Sequence, residues 1–213
     1  MESTHYTRNH RVHSYTGIGD WAAVGWLTQP RWRSETVACR RMRRLQAGVA
    51  DGWRLVTLKG NHDVMMADAL RDPAKMASWI EKGGDAALAS YGGDPAAVPP
   101  AHLAWLDGLL PMYADRHRVY VHAGLDPALP LDQQSEATLL WKRYPKGFSG
   151  GHGERHVVHG HDNFPEGLLL LQGRTNLDAL AWRTGRLVIG VFDDDRPGGP
   201  VDFIVVKGEP AGR

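Results

Sequence analysis

Apolar residues recur at helical spacing in the first half of the chain and gather into short β-type runs in the second. Over 34–48, Ala38, Met42 and Leu45 line one face, Ser34 stands where a cap belongs and Gly48 where a helix ends, so the spacing predicts a helix. WRLVTLK (53–59) predicts a buried strand closed by a turn at Gly60 and Asn61. Residues 62–70 predict a helix, Pro73 opens another through Ile80, and Gly83 and Gly84 stop it before a short helix to Tyr91. After the GGDPAAVPP loop, Leu103, Leu106 and Leu110 mark a further helix. HRVYVHAG and RHVVHGH then predict strands running into polar turns, with Ser135–Arg143 helical between them. GLLLLQ, RTNLD, RLVIGVF and VDFIVV predict later strands. Helices early and strands late argue for a sheet-rich α/β sandwich rather than a barrel of alternating βα units.

Composition narrows the function classes. A length of 213 residues fits one domain, and 42% hydrophobic with 23% charged residues is ordinary for a globular chain. Lys and Arg number 25 against 24 Asp and Glu, a net charge of +1, which supplies no global field for nucleic acid or an anionic membrane. Arg40, Arg41, Arg43 and Arg44 fall off the apolar face of the expected 34–48 helix and read as a solvated surface. Cys39 is the one cysteine, which excludes an internal disulfide and a thiolate metal site. No apolar run approaches the ~20 residues of a membrane span, and the first sixteen residues carry no apolar leader, so a cytoplasmic, membrane-free protein is the expectation.

Three strand ends carry metal-type side chains: Asn61 and His62 after LVTLKG, His122 after RVYV, and His159 and His161 around RHVVHGH. Ligands of open α/β sheets gather at strand ends, where departing loops present groups into one crevice. Imidazole nitrogens with an amide or carboxylate oxygen suit Zn, Mn or Fe in a hydrolytic site. Each junction alone is as well explained by a turn or a structural histidine; three in one domain point to a shared centre.

In this order, GNHD (60–63), VHAG (121–124), LLWKR (139–143) and VVHGH (157–161), with RTNLDALAWRTGRL (174–187), resemble the calcineurin-like metallophosphoesterases. Within them the resemblance is to bacterial and phage protein serine/threonine phosphatases and the related symmetrical dinucleoside tetraphosphatases. It covers about residues 34–213, leaving 1–33 as an atypical N-terminal segment. It implies a four-layer αββα sandwich, here with its N-terminal part incomplete, and divalent cations (Mn, Fe or Zn) between the sheets. Carried over by position, Asn61, His122 and His161 match ligands of the second metal, His62 the histidine that assists the leaving group, and Arg143 a phosphate-binding arginine. These roles accord with the chemistry. Paired cations can hold a hydroxide nucleophile and clamp phosphoryl oxygens, an arginine fork fits phosphate, and a histidine can protonate a departing alkoxide. Asp63 replaces the more usual glutamate; His159 and Asp178 are expected to be structural.

The departure lies at the start. The family's GDxHG is missing, and GDxxDRG survives only as GDWAAVG (19–25), where Ala23 and Val24 replace the second aspartate and the arginine. Asp20 is the candidate bridging ligand, while His10 and His13 are expected in a tail. A shifted reading frame or a truncated copy would account for the Trp- and Arg-rich tract 1–33. The expected function is a metal-dependent hydrolase of phosphomonoesters, phosphoproteins or nucleotides, using two cations, or one if the first site is lost. The alternative is an impaired or vestigial phosphatase fold that binds metal or a phosphorylated partner; an arginine-helix nucleic-acid binder ranks third.

Overall fold

A computed structural model of the chain describes 12–15, 17–18 and 21–22 as strand backbone and 55–208 throughout. The helix expected over 34–48, Cys39, His10 and Asp20 lie outside the described residues.

The centre is a five-stranded sheet of β4 (Met112–Ala114), β5 (Arg118–Val121), β6 (His156–His159), β7 (Leu169–Leu170) and β8 (Arg174–Asn176), in the order β4-β5-β6-β8-β7. β5, β6 and β8 run parallel, while β4 and β7 close the edges antiparallel. Side chains alternate across a strand, so β5 sends Val119 and Val121 to one face and Tyr120 to the other. The first face packs with Val157 against Leu139 of the helix Glu136–Trp141. The second packs with Val158 against Val188 and Phe192 of β9 (Arg186–Asp193), and the Tyr120 and Phe192 rings meet edge to face at 5.7 Å. β9 pairs antiparallel with β1 (Val12–Tyr15) and with β10 (Asp202–Lys207), forming a second sheet; β2 (Gly17–Ile18) and β3 (Trp21–Ala22) pair with each other. β5 is buried throughout because both faces are covered. All of β10 is exposed, including Phe203, Ile204, Val205 and Val206.

A helical cluster packs separately around Met66, Trp79, Leu106 and Leu109. It is built from α1 (Asn61–Arg71), α2 (Met76–Trp79), α3 (Asp85–Ala89) and α4 (Pro100–Asp107); α5 is Glu136–Trp141 and α6 is Ala181–Thr184. Among the described residues no helix is long and apolar enough to cross a membrane.

Several expectations need correction. Residues 55–59 make no regular strand; Leu58 forms a single parallel bridge to Leu110, fastened by the Lys59 N–H donating to the Leu110 carbonyl at 2.8 Å. Leu110 therefore serves that bridge instead of continuing α4. Asn61 is no turn residue but opens α1. By contrast, Gly83 and Gly84 mark the expected break: Gly83 leaves helical backbone at φ 96°, a kink within Ile80–Gly84 that separates the preceding helix from α3. A Cβ on Gly84 would lie 2.3 Å from the Trp79 indole, so the turn closes over that ring only with glycine there. His13 belongs to no tail, since it pairs with Phe192 in the β1/β9 ladder. β4 and α6 were not anticipated; three or four residues carry too little periodicity to register.

Candidate active site

The parallel strands bring the candidate residues to one rim. β5 ends just before His122 and β6 just before Gly160 and His161, and the two ends are tied by the Gly160 N–H donating to the His122 carbonyl at 2.9 Å. α1 begins beside them. Its cap is Gly60, which has no side chain, and the Asp63 carboxylate accepts the Gly60 N–H at 2.9 Å. Burial pushes the Asp63 pKa well above the usual carboxylate range, opposed by the Gly60 N–H and the charge of Lys59. Aspartate in place of the longer glutamate still reaches the cap, and the first turn of α1 is held with Asn61 and His62 buried.

Asn61 Oδ1 lies 3.0 Å from His122 Nε2, and the His122 and His161 rings stand 5.0 Å apart between centroids. His161 adopts a left-handed backbone, φ 61°. Such a conformation costs a residue with a Cβ about 1–3 kcal/mol and persists where surrounding contacts over-determine it. Here the Asp162 N–H closes a tight turn onto the Gly160 carbonyl at 2.7 Å, and Arg143 Nη1 donates to the His161 carbonyl at 2.9 Å. Asn176 on β8 donates to the Asp162 carbonyl, fixing the far side of the turn. The turn aims the His161 imidazole toward His122.

α5 carries the remaining pieces. Ser135 caps it by accepting the Thr138 N–H, Leu139 and Leu140 bury its inner face, and the Ala123 N–H donates to the Leu139 carbonyl at 2.9 Å. That anchorage sets Trp141 beside His161 (5.9 Å between centroids, planes 86° apart), with Arg143 just beyond, its Nη1 3.4 Å from Asp162 Oδ1.

Behind the rim, His159 is structural. It is buried on β6, accepts from Arg174 Nη1 through Nε2 at 2.7 Å and donates from Nδ1 to the Gly160 carbonyl at 2.9 Å. Burial pushes its pKa down to about 3; the Gly160 carbonyl opposes that and the Arg174 charge adds to it. Arg174 in turn lies 4.6 Å over the Tyr144 ring, whose hydroxyl accepts the Leu125 N–H at 3.0 Å. Gly124 admits that ring, since a Cβ there would come within 2.9 Å of it. Asp178 is fully buried and accepts the Leu180 N–H at 2.8 Å, holding the left-handed Leu180.

The rim thus gathers Asn61, His122, His161 and Arg143, with His62 next to Asn61 in the helix turn; Asp20 lies outside the described residues. Two imidazoles and an amide oxygen form a nitrogen and oxygen donor set suited to a borderline divalent cation. Asn61 Oδ1 and His122 Nε2 stand at hydrogen-bonding separation. Among the described residues no group of three or more His, Cys, Asp or Glu side chains gathers as a metal site. Trp141 was passed over in the sequence, although it lies inside the segment LLWKR that drew attention. A cleft of about 510 Å³ opens at the other end of the sheet, lined by Gly151, His156, Gln172 and Gly198 among others, and includes none of the expected site residues.

No family model matches the chain. No curated protein matches it either. Among solved structures, it is similar to the crystal structure of a candidate diadenosine tetraphosphatase: 22% identity, 81% of this chain and 73% of the other covered, and a TM-score of 0.52. At that identity, the two chains share a fold, here a mixed α/β arrangement around a five-stranded sheet.

Proposed function

We propose that the chain is a metal-dependent phosphoesterase, a hydrolase of phosphomonoesters of the serine/threonine protein phosphatase type. The observation that carries this reading is the meeting of Asn61, His122, His161 and Arg143 at one end of three parallel strands, from segments spread across the sequence. Asn61, His122 and His161 would hold the cation, with Asp20 the candidate to bring it a carboxylate. When bound, a divalent cation (Mn, Fe or Zn) supplies Lewis-acid polarisation of the phosphoryl oxygens. Arg143 orients the phosphate through the N–H groups its backbone contact does not use, and His62 donates a proton to the leaving oxygen. The matched fold supports this reading at the level of architecture, and two sheets packed face to face accord with a four-layer αββα sandwich over 34–213. Phosphoproteins and nucleotides are the substrate classes.

The test is metal content and turnover of the full chain. Uptake of about one or two Mn per chain with Mn-stimulated aryl-phosphate hydrolysis, lost in the folded variants His122→Ala and His161→Ala, is the expected result. Metal or phosphate binding with no turnover would favour the vestigial fold, and neither in a folded chain would end the phosphoesterase reading.

A further inference from the structure

β10 is open on both faces and along one edge. Among the described residues it pairs with β9 alone, so it forms the border of the second sheet. Directly opposed residues of an antiparallel pair share a face. Phe203 and Val205 stand opposite Gly190 and Val188 and so lie on the face through which Val188 packs into the core. They are nonetheless 50% and 40% exposed, which means that β10 overhangs the first sheet. Ile204 and Val206, on the outer face, are as exposed, and Val201 extends the same apolar strip. The main chain is open as well. The Gly208 N–H donates to the Gly185 carbonyl at 2.7 Å, and the alternation of the ladder then turns the main-chain groups of Phe203, Val205 and Lys207 away from β9. The Phe203 N–H donates instead to the carboxylate of the adjacent Asp202, at 2.8 Å. Edge strands are ordinarily blunted by proline or by a charge in mid-strand. Between Asp202 and Lys207, β10 has only Phe, Ile, Val and Val.

We propose that β10 is the interface of a two-fold dimer, in which it pairs antiparallel with β10 of a second copy and joins the two β1-β9-β10 sheets into one. The strand is self-complementary. Asp202 opens it and Lys207 closes it, so an antiparallel mate sets the acidic start of each copy beside the basic end of the other, whereas a parallel mate would set like with like. A two-fold axis normal to the sheet keeps the faces of the two copies in common. Centred on Ile204, it sets Phe203 opposite Val205 of the second copy, an aromatic and β-branched pair whose main-chain groups both point to the open edge. Centred one residue later, it would set Phe203 against Lys207. The first register is therefore the apolar match. Such an isologous contact uses one patch twice and needs no separate partner sequence. A ladder this short lies at the small end of specific interfaces, which sets the association in the micromolar range. The inference is independent of the phosphoesterase reading.

The experiment is sedimentation of the full chain over a concentration series reaching roughly 100 μM. The expected result is a reversible monomer–dimer equilibrium in wild type and monomer in both Ile204→Lys and Ile204→Glu, because like charges then face each other across the axis. Mixing the two variants should restore the dimer. Ile204 is half exposed, and an unchanged circular dichroism spectrum checks that each variant is folded. The register is read by cysteines in a Cys39→Ser background. Non-hydrogen-bonded neighbours on antiparallel strands lie within disulfide reach, so Ile204→Cys should oxidise to a covalent dimer and Val206→Cys should not. A wild type that stays monomeric throughout the series overturns the proposal, and so does a dimer that Ile204→Lys and Ile204→Glu both leave intact. Protection of 202–207 from hydrogen exchange in a monomeric wild type would assign the open edge to another segment of the same chain, which also overturns it.

Discussion

Arg143 donates through Nη1 to the main-chain carbonyl of His161, 18 positions away, at 2.9 Å. The arginine of LLWKR thus braces the backbone of the VVHGH turn as well as facing the rim. Its side chain is half exposed and its pair with Asp162 spans 3.4 Å, so the contact adds little to global stability. Replacing it should disturb the site far more than the fold. For Arg143→Lys we expect aryl-phosphate kcat/KM to fall by about tenfold or more, because a point ammonium cannot brace the carbonyl and fork a phosphate together. Urea denaturation should move by less than about 1 kcal/mol. A large stability loss with unchanged kcat/KM would reverse that assignment.

The left-handed backbone of His161 predicts an order of stability among its variants. Glycine adopts φ 61° freely, whereas alanine keeps the Cβ penalty and loses the ring contacts. His161→Gly should therefore be more stable than His161→Ala by about 1 kcal/mol in chemical denaturation. Both should lose metal uptake. Equal stabilities would mean that the turn relaxes once the imidazole is gone.

His156, at the start of β6, should impose an acid limit on the fold. It is buried, with Nε2 2.8 Å from Thr175 Oγ1, and burial together with the nearby Arg118 cation pushes its pKa down to about 4. Above the ordinary histidine pKa of about 6.5 both folded and unfolded chains are neutral here, and stability does not depend on this group. As pH falls below that value the unfolded chain takes up the proton first, so stability declines until the folded pKa of about 4 is reached. The loss over that window is of order 2–3 kcal/mol. Urea midpoints at pH 7 and pH 5 should differ more for wild type than for His156→Leu, and an identical pH slope in the two would remove His156 as the cause.

Arg118 supplies a second test of the same end. It is fully buried, and its guanidinium donates to the carbonyls of Gly198 at 2.9 Å, Asp193 at 3.0 Å and Arg196, while lying 5.1 Å over the Phe192 ring. One side chain thereby fixes the turn joining β9 to β10. Arg118→Met would keep the packing and leave those carbonyls without their donor, at a cost of roughly 2–4 kcal/mol. Hydrogen exchange should rise first in residues 193–201. Unchanged protection there would show that the turn holds itself.

The sequence was legible where a pattern was long or chemically unusual. α1, β5, β6, β9 and β10 stand close to where their apolar runs put them, and the order GNHD, VHAG, VVHGH brought Asn61, His122 and His161 to notice before any geometry. What escaped depends on distant partners. Leu58 needs Leu110 to form its bridge, so the stretch LVTLK (55–59) looked more strand-like than it is. The positive φ of His161 has only a weak local marker, since histidine is enriched there but the conformation is uncommon for any residue with a Cβ; Arg143 and Asn176, both remote, hold the turn. His13 gave no strand signal since its ladder is made with β9 near the other end of the chain.

Parallel strands have a direction, and this chain uses it. Arg118 and His156 sit at the beginnings of β5 and β6, while His122 and His161 follow their ends. With a rise of about 3.3 Å per residue, four-residue strands keep the two groups roughly 13 Å apart, far enough for substitutions to act independently. Resistance to acid and the geometry of the rim are consequently separate traits that selection or an engineer can adjust one at a time.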